Sequence, residues 1–493
     1  MVKVAEFRVN QRLFGVALGI VLVASQLFTY SVLAVGVALI FSPLLVGAVN
    51  FRQKRQVNYI SWLITMLALG IIGLPFLGLS TYFYLTTHLR LGWHWLDFFT
   101  NNRRLMVPVL GLGCGLLTLA SLIWVKRLGE FSPQTLAKRY LTGALLVVSG
   151  QLSLSFLLIK LGQVEDSLAY LTLLASAAWV LHLGLVYLFY SFLLTGHLVR
   201  LRLGKLGLLG IVCALSLVGW QTRTYLSQPL ARGVKVIAHR GVNQDNALGN
   251  STLALQKTKR EVKPNLVEMD VQATKDRKFI VSHDEDLKQL TGKALVVDQS
   301  NLKQLTGLRE RQAGKQAKLV SFTTYLSEAK RLDQPLLVEL KVPNKNYRQT
   351  NSGQEFGQTF ANELAARDQV HSMSLRALWQ LKAVSPRTSV GYVLPINMWG
   401  LVLGPLDFYS VEQNTLTRSL VWQLHHQHQQ VYVWTVNRPA DIRRVLAKGA
   451  DGIISDDSSQ VKRELKRLQN DKKSLRLAKF RVILNEFSYG LRI

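Results

Sequence analysis

The 493-residue chain is poor in cysteine and, over its first half, in acidic residues. Its two cysteines, Cys114 and Cys213, both lie within long apolar runs, so no disulfide can staple the polar second half. Residues 1–230 contain 5 Asp and Glu against 18 Lys and Arg. Ionisable side chains are almost absent from the apolar runs, which argues against a transport pathway, because such pathways often use ionisable groups within the membrane.

Apolar runs that are long enough to cross a lipid bilayer dominate the first half of the chain. A bilayer crossing takes about 20 apolar residues, so the first run is long enough to fold back near 25–31. These runs predict a multi-span α-helical membrane domain of about seven helices over 1–225. The runs are 13–49, 59–86, 105–125, 140–159, 167–195 and 206–221.

The basic residues predict an orientation, because cytoplasmic loops of membrane proteins carry an excess of Lys and Arg. With the N-terminus inside, the clusters at 52–55 and 200–205 fall on the cytoplasmic side. An odd number of spans then places the second half outside. We therefore expect a multi-pass protein of the cell membrane with an extracellular C-terminal domain, and membrane lipid as one of its partners.

After Gly233 the pattern changes to strand-like apolar runs alternating with amphipathic helical stretches. Such alternation predicts an α/β fold with a parallel sheet, and its length suits an eight-stranded TIM barrel over 233–468. A basic C-terminal tail follows at 469–493. The strand-like runs are 234–238, 265–271, 278–282, 335–342, 389–394, 406–411, 430–436 and 451–454.

Carboxylates collect near the ends of these runs, where a parallel barrel places its active site. Glu268 and Asp270 are two residues apart on a predicted strand, so they face the same side. Glu339 and Lys341 repeat this spacing. Three carboxylates at one barrel mouth suit a hard divalent cation such as Ca²⁺ or Mg²⁺. A network of salt bridges is the alternative interpretation.

Two histidines occupy equivalent places. His239 and His283 each follow an apolar run, and His239 is followed by Arg240. A lone His at a strand end is usually an ordinary hydrogen-bonded residue, but two beside a carboxylate cluster suit a general acid and a general base. Arg240 could hold a phosphate oxygen through its planar donors. The set predicts metal-assisted attack on a phosphate ester.

These motifs resemble the glycerophosphodiester phosphodiesterases, in the membrane-anchored form of Gram-positive bacteria. The resemblance covers residues 233–460 and implies a TIM barrel that uses a divalent cation to cleave glycerophosphodiesters to glycerol 3-phosphate and an alcohol. The matching pieces are HRG at 239–241, VEMD at 267–270, TKD at 274–276, HDEDL at 283–287, LTG at 290–292, VELK at 338–341, VWTVN at 433–437 and GADGIISD at 449–456.

The resemblance also implies a role for each matching residue. The acid–base pair is His239 and His283. The substrate-binding residues are Arg240, Lys341 and Trp434. The ligands of the divalent cation are Glu268, Asp270 and Glu339.

One position departs from the family pattern. The family's Glu-Asn-Thr motif after HRG is replaced by Leu-Gly-Asn-Ser-Thr at 248–252, so Gly249 stands where a carboxylate is expected. A catalytically weak module that binds polyanions or lipid head groups is therefore a second hypothesis. Under either hypothesis the net charge of +29 favours anionic partners, either phospholipid-derived phosphodiesters or a wall polymer of the teichoic-acid type. No nucleic-acid partner is expected.

Overall fold

The computed structural model describes residues 102–129, 132–196, 205–343, 351–397, 401–402 and 404–487, and a few isolated positions before residue 102. The chain divides into two compact units. The first consists of Met1–His88, Arg104–Gln228 and Arg476–Ile493. The second consists of Leu89–Arg103 and Pro229–Leu475.

The first unit contains long apolar helices. They are α1 Arg103–Gly129, α2 Pro133–Val164, α3 Leu168–Thr195 and α4 Lys205–Ser227. The start of α2 is fixed by Ser132, whose hydroxyl accepts a hydrogen bond from the Thr135 N–H at 3.1 Å. Among the described residues, two helices are long and apolar enough to cross a membrane, over Arg103–Trp124 and Pro133–Val164. The predicted runs at 13–49 and 59–86 lie almost entirely outside the described residues, so the count of seven spans stays a prediction.

The second unit is a closed barrel of eight parallel strands, as the sequence predicts. Its strands are β1 Lys235–Ala238, β2 Leu266–Ala273, β3 Phe279–Val281, β4 Arg309–Gln312, β5 Lys315–Lys318, β6 Leu336–Lys341, β7 Gln369–Ser372, β8 Ser389–Leu394, β9 Phe408–Glu412, β10 Gln430–Trp434 and β11 Gly452–Ser455. The order around the barrel is β1, β2, β6, β7, β8, β9, β10 and β11, and the β11–β1 pair closes it. Strands β4 and β5 form a separate antiparallel hairpin.

The barrel differs from the sequence prediction at one of its eight strands. The run predicted at 278–282 forms β3, which pairs antiparallel with β2 and stands outside the barrel. Its place in the barrel is taken by β7, which pairs parallel with both β6 and β8. Strand β7 escaped prediction because its sequence, QVHS, has a single large aliphatic residue. Tertiary packing nevertheless buries Val370, His371 and Ser372.

Helices follow most of the barrel strands. They are α5 Thr252–Glu261, α6 Lys288–Thr291, α7 Leu302–Leu305, α8 Phe322–Arg331, α9 Ser352–Phe360, α10 Leu375–Val384, α11 Arg418–His426, α12 Pro439–Lys448 and α13 Ser458–Asn470. Four of them begin at a hydroxyl side chain that accepts the N–H three residues further on. These residues are Ser251, Ser321, Ser374 and Thr417.

Side chains of the barrel strands fill the interior of the barrel. One buried cluster in its interior consists of Ile237, Leu266, Leu337, Phe408, Tyr432 and Ile454, with Trp434 packed against it. Because these apolar side chains fill the interior, the polar side chains of the same strands lie at the barrel mouth. The carboxyl ends of the strands therefore carry the site.

The last helix, α14 Lys472–Phe487, lies within the predicted basic tail, and from Arg476 onward it belongs to the first unit. Phe480, Ile483 and Leu484 are buried in a core that is shared with α2, α3 and α4. Arg476 also lies 3.1 Å from Asp166. Helix α14 is rich in Lys and Arg but also has an apolar face. This face packs against the apolar helices of the first unit.

Candidate active site

The barrel brings most of the predicted site residues to its C-terminal mouth. Asp270 on β2 is the register partner of Glu339 on β6, and Gln272 is the partner of Lys341. His239 begins the turn directly after β1, and Trp434 ends β10. Neighbouring parallel strands end at the same edge of the barrel, so these predicted site residues lie together at that edge.

His239 is held by an acidic residue of the last strand. Its Nδ1 lies 2.7 Å from Asp456 Oδ1, because β11 and β1 are neighbours with Ser455 opposite Ala238. Asn437 Nδ2 donates a hydrogen bond to the other Asp456 oxygen at 2.7 Å. Burial lowers the pKa of His239, but the bond to Asp456 and the charge of Glu268 outweigh burial and raise the pKa above its ordinary value.

The turn after β1 positions a backbone donor at the carboxylates. Arg240 has φ 49°, a left-handed conformation that is uncommon for a side chain of this size. In this conformation its N–H donates a hydrogen bond to Glu268 Oε2 at 2.7 Å. Gly241 has φ 71°, and a Cβ there would lie 3.1 Å from the Tyr325 hydroxyl. The turn therefore needs glycine for both space and conformation.

Asp270 is 1% exposed and surrounded by donors. Asn250 Nδ2 donates to Asp270 Oδ2 at 2.8 Å, and the Asp270 N–H donates to Asn250 Oδ1 at 3.0 Å. Arg240 Nε lies 3.3 Å and Lys341 Nζ 3.4 Å from its two carboxylate oxygens. Burial raises the pKa of Asp270, but Lys341 and Arg240 outweigh burial and hold the pKa well below its usual value. Asp270 is therefore ionised.

Glu268 and Glu339 form a compact donor group with His371, a residue that the sequence analysis did not single out. One carboxylate oxygen of each Glu and one ring nitrogen of His371 lie within 4.8 Å of one another. Burial, followed by the charge of Asp270, raises the pKa of Glu268 to about 8. A cation between these groups would offset the free-energy cost of ionising the buried Glu268. The donor set therefore fits a divalent cation.

Gly249 lies against the side chain of Arg240. A Cβ at Gly249 would be 3.0 Å from Arg240 Cβ and 3.5 Å from its Cδ. A larger residue here requires Arg240 to move by a few tenths of an ångström. Glycine at this position therefore leaves room for the Arg240 side chain, where the family has a carboxylate.

The remaining two predicted residues have different surroundings. His283 follows β3 rather than a barrel strand, and its Nδ1 lies 2.6 Å from Asp284 Oδ1. Gln272 Nε2 holds this loop by donating to the carbonyls of Ser282 and Asp284, at 2.9 and 3.0 Å. Trp434 is half-buried and donates its Nε1–H to the Ser410 carbonyl at 3.0 Å.

Sequence reasoning missed two polar residues of the site. Asp456 ends the motif GADGIISD, and its position directly after the closing strand was a signal that could have paired it with His239. His371 had no such signal, because strand β7 itself was not predicted. Only the register of β6 with β7, which sets His371 opposite Glu339, brings it to the carboxylates.

A parallel barrel with a paired imidazole and buried carboxylates at its C-terminal mouth defines an enzyme of the TIM-barrel class. The model of the glycerophosphoryl diester phosphodiesterase family matches residues 239–460, which span the barrel from the turn after β1 into α13. The C-terminal domain of the chain belongs to this family, and the chain is a phosphoric diester hydrolase of that kind.

Relatives from two bacteria support this assignment. The chain is 24% identical over 235 residues to the Bacillus subtilis protein YhdW, which is named among the glycerophosphodiester phosphodiesterases. It is 26% identical over 240 residues to a glycerophosphodiester phosphodiesterase of Caldanaerobacter subterraneus. Each alignment covers 45% of this chain and 93% of the relative. Each relative therefore matches less than half of this chain over nearly its own whole length.

A solved structure is also similar. A glycerophosphodiester phosphodiesterase of Parabacteroides distasonis superimposes with a TM-score of 0.40 at 23% sequence identity, over 49% of this chain and 99% of that protein.

Proposed function

We propose that the chain is a membrane-bound hydrolase that cleaves glycerophosphodiesters to glycerol 3-phosphate and an alcohol. The proposal rests on one arrangement at the mouth of a family barrel, the ion-paired Arg240 and Lys341 on either side of Asp270. Two fixed cations beside buried carboxylates suit an anionic phosphodiester better than a neutral ester, because each cation can face a non-bridging oxygen.

Acid–base catalysis is assigned to the two histidines. One of His239 and His283 takes a proton from the attacking oxygen as the new P–O bond forms. The other gives a proton to the leaving alkoxide as the old P–O bond breaks. The attacking oxygen belongs either to water or to a neighbouring hydroxyl of the substrate. Asp456 keeps the His239 ring oriented through its Nδ1 contact.

The other polar residues bind and orient the phosphate. Arg240 and Lys341 are held by Asp270, so their positive charges are already in place when the phosphodiester arrives. A divalent cation held by Glu268, Asp270 and Glu339 supplies further positive charge to a phosphoryl oxygen when bound. Trp434 lines the cleft for the glycerol or the alcohol. Ca²⁺ and Mg²⁺ are the cations expected for the three carboxylates.

The membrane part of the proposal rests on exposed apolar helices. Leu112 and Leu116 on α1, and Leu145 and Leu146 on α2, are each more than half exposed in the described structure. In water such helices would leave large apolar surfaces uncovered, whereas a bilayer covers them without cost. With the orientation predicted from the basic residues, the barrel works outside the cell on lipid-derived or wall-polymer phosphodiesters.

Hydrolysis is tested with the full-length chain in detergent, by measuring glycerol 3-phosphate released from glycerophosphoglycerol with and without EDTA. We expect cation-dependent release, and a loss of about 10²–10⁴-fold in kcat for His239→Ala and for His283→Ala. His426→Ala, on an exposed turn of α11, is the matched control and should keep full activity. Binding of the substrate without turnover would instead support the polyanion-binding module.

Sidedness needs a separate measurement. Protease added to intact cells should remove the chain after about residue 225, because an odd number of spans exports the barrel. Permeabilised cells serve as the control in which either orientation allows cleavage. Protection of the barrel in intact cells would reject an extracellular domain while leaving the proposed chemistry untouched.

A further inference from the structure

His371 lies in the same row of the barrel as the site carboxylates. Strand β6 joins β2 to β7, and the register sets Asp270 opposite Glu339 and Glu339 opposite His371. Register partners on neighbouring parallel strands point to the same face of the sheet. The imidazole is 2% exposed, so it belongs to the interior edge of the site rather than to the solvent surface.

The two nitrogens of His371 have different surroundings. Nδ1 lies 2.9 Å from the hydroxyl of Ser410, on β9. Nε2 is buried and has no hydrogen-bond partner among the described residues. A histidine that merely fills space in a barrel is expected to satisfy both nitrogens, since buried polar atoms without a partner are rare. In the tautomer in which Nδ1 donates its hydrogen to the Ser410 hydroxyl, Nε2 carries no hydrogen and its lone pair is free.

The distances suit a shared ligand. The donor atoms of Glu268, Glu339 and His371 lie within 4.8 Å of one another. Three atoms within 4.8 Å of one another have a common centre that is no more than about 2.8 Å from each, whereas a metal–ligand distance is about 2.1 Å. Side-chain movements of up to about 0.7 Å therefore suffice to bring all three atoms into one coordination shell. Asp270 differs, because Asn250 and Arg240 contact it in addition to Lys341, which lies 3.4 Å from both Asp270 and Glu339.

We propose that His371 Nε2 is a ligand of the divalent cation, together with Glu268 and Glu339, and that Ser410 fixes its tautomer. The proposal rests on the proposed function for the presence of a cation. The imidazole of His371 makes the cation site a mixed nitrogen–oxygen site. It also supplies a ligand atom in a barrel that lacks the carboxylate expected at Gly249. Imidazole favours transition metals over Ca²⁺, so the site prefers a cation such as Mn²⁺ or Zn²⁺.

Mn²⁺ alone, added to the full-length chain in detergent, is the probe. Pulsed electron paramagnetic resonance reports directly whether a ¹⁴N nucleus coordinates the Mn²⁺. We expect nitrogen coupling in the wild type, its loss in His371→Gln, and its retention in His239→Ala, the control for the other nearby imidazole. Calorimetry should show Mn²⁺ binding at least about tenfold weaker in His371→Gln, and about tenfold weaker in Ser410→Ala, with Ca²⁺ affinity changing less.

The outcomes separate this proposal from the proposed function. A wild-type spectrum without nitrogen coupling overturns the role of His371, whether or not any variant folds. Coupling that survives in His371→Gln overturns it as well. Nitrogen-coordinated Mn²⁺ in a chain that releases no glycerol 3-phosphate keeps His371 as a ligand and rejects the hydrolase. Hydrolysis with an all-oxygen cation site rejects the ligand and keeps the hydrolase.

Discussion

Asn250 allows the sharpest test of how the site is built. Its side chain makes two buried hydrogen bonds to Asp270, one to a carboxylate oxygen at 2.8 Å and one from the backbone N–H at 3.0 Å. Its own φ is 59°, in the left-handed region where Asn is tolerated and most other side chains are strained. Replacement by Gly removes the two bonds and keeps the backbone relaxed, whereas replacement by Ala removes the bonds and adds strain.

The two replacements differ by a predictable amount. Loss of a hydrogen bond to a charged group costs about 1.5–3 kcal/mol, so we expect Asn250→Gly to lower the free energy of unfolding by about 2–3 kcal/mol. Ala in a left-handed conformation costs about 1–2 kcal/mol. Gly loses about 0.5–1 kcal/mol of backbone entropy that Ala does not lose. Asn250→Ala should therefore be less stable than Asn250→Gly by about 0.5–1 kcal/mol.

Calorimetric unfolding of the full-length chain measures both effects in the transition of the barrel. For a domain of this size 1 kcal/mol corresponds to about 2–4 °C, so we expect Asn250→Gly to lower Tm by about 4–12 °C, and Asn250→Ala by a few degrees more. Asn246→Ala is a control on the neighbouring loop, because the Asn246 side chain bonds to Asn243, Thr258 and Glu261 and not to Asp270. Equal Tm values for wild type and both variants would refute the buried network around Asp270.

Two further predictions concern charged contacts. Asp456→Asn removes a negative charge that raises the pKa of His239. The limb of the kcat/KM–pH profile that reports His239 should therefore move to lower pH. A shift of that limb to higher pH would contradict the geometry. Lys479 is 3% exposed and donates to the carbonyls of Tyr225 and Gln228, at 2.9 and 2.7 Å. Lys479→Met should cost about 1.5–3 kcal/mol in thermal unfolding of the helical unit.

Matched variants control for both predictions. Asp457→Asn makes the same chemical change one residue later, at the start of α13, where the side chain accepts the Gln460 N–H rather than contacting His239. Its pH profile should match the wild type. Lys472→Met removes an exposed charge from the same helix α14, and its Tm should stay within about 1 °C of the wild type. An unchanged Tm in Lys479→Met would mean that the carbonyls find other donors.

Much of the barrel and part of its site could be predicted from local patterns. Strands such as β2 and β6 are apolar at most of their positions, because both of their faces are buried in an α/β barrel. The pair Glu268 and Asp270 interrupts β2 at alternate positions, which is enough to place both on one face. Strand β7 carries no such run, and short strands rich in polar residues are recognised only when neighbouring strands bury them.

The sequence by itself determined the division into apolar and α/β halves, the barrel, and the chemical character of its mouth, because hydrophobic period and residue type act locally along the chain. The tertiary structure alone decided which of these groups meet. Closure of β11 against β1 pairs Asp456 with His239 across more than two hundred residues. The register of β7 sets His371 beside Glu339. Such pairings depend on strand order and register around the closed barrel, and no spacing within a single segment encodes them.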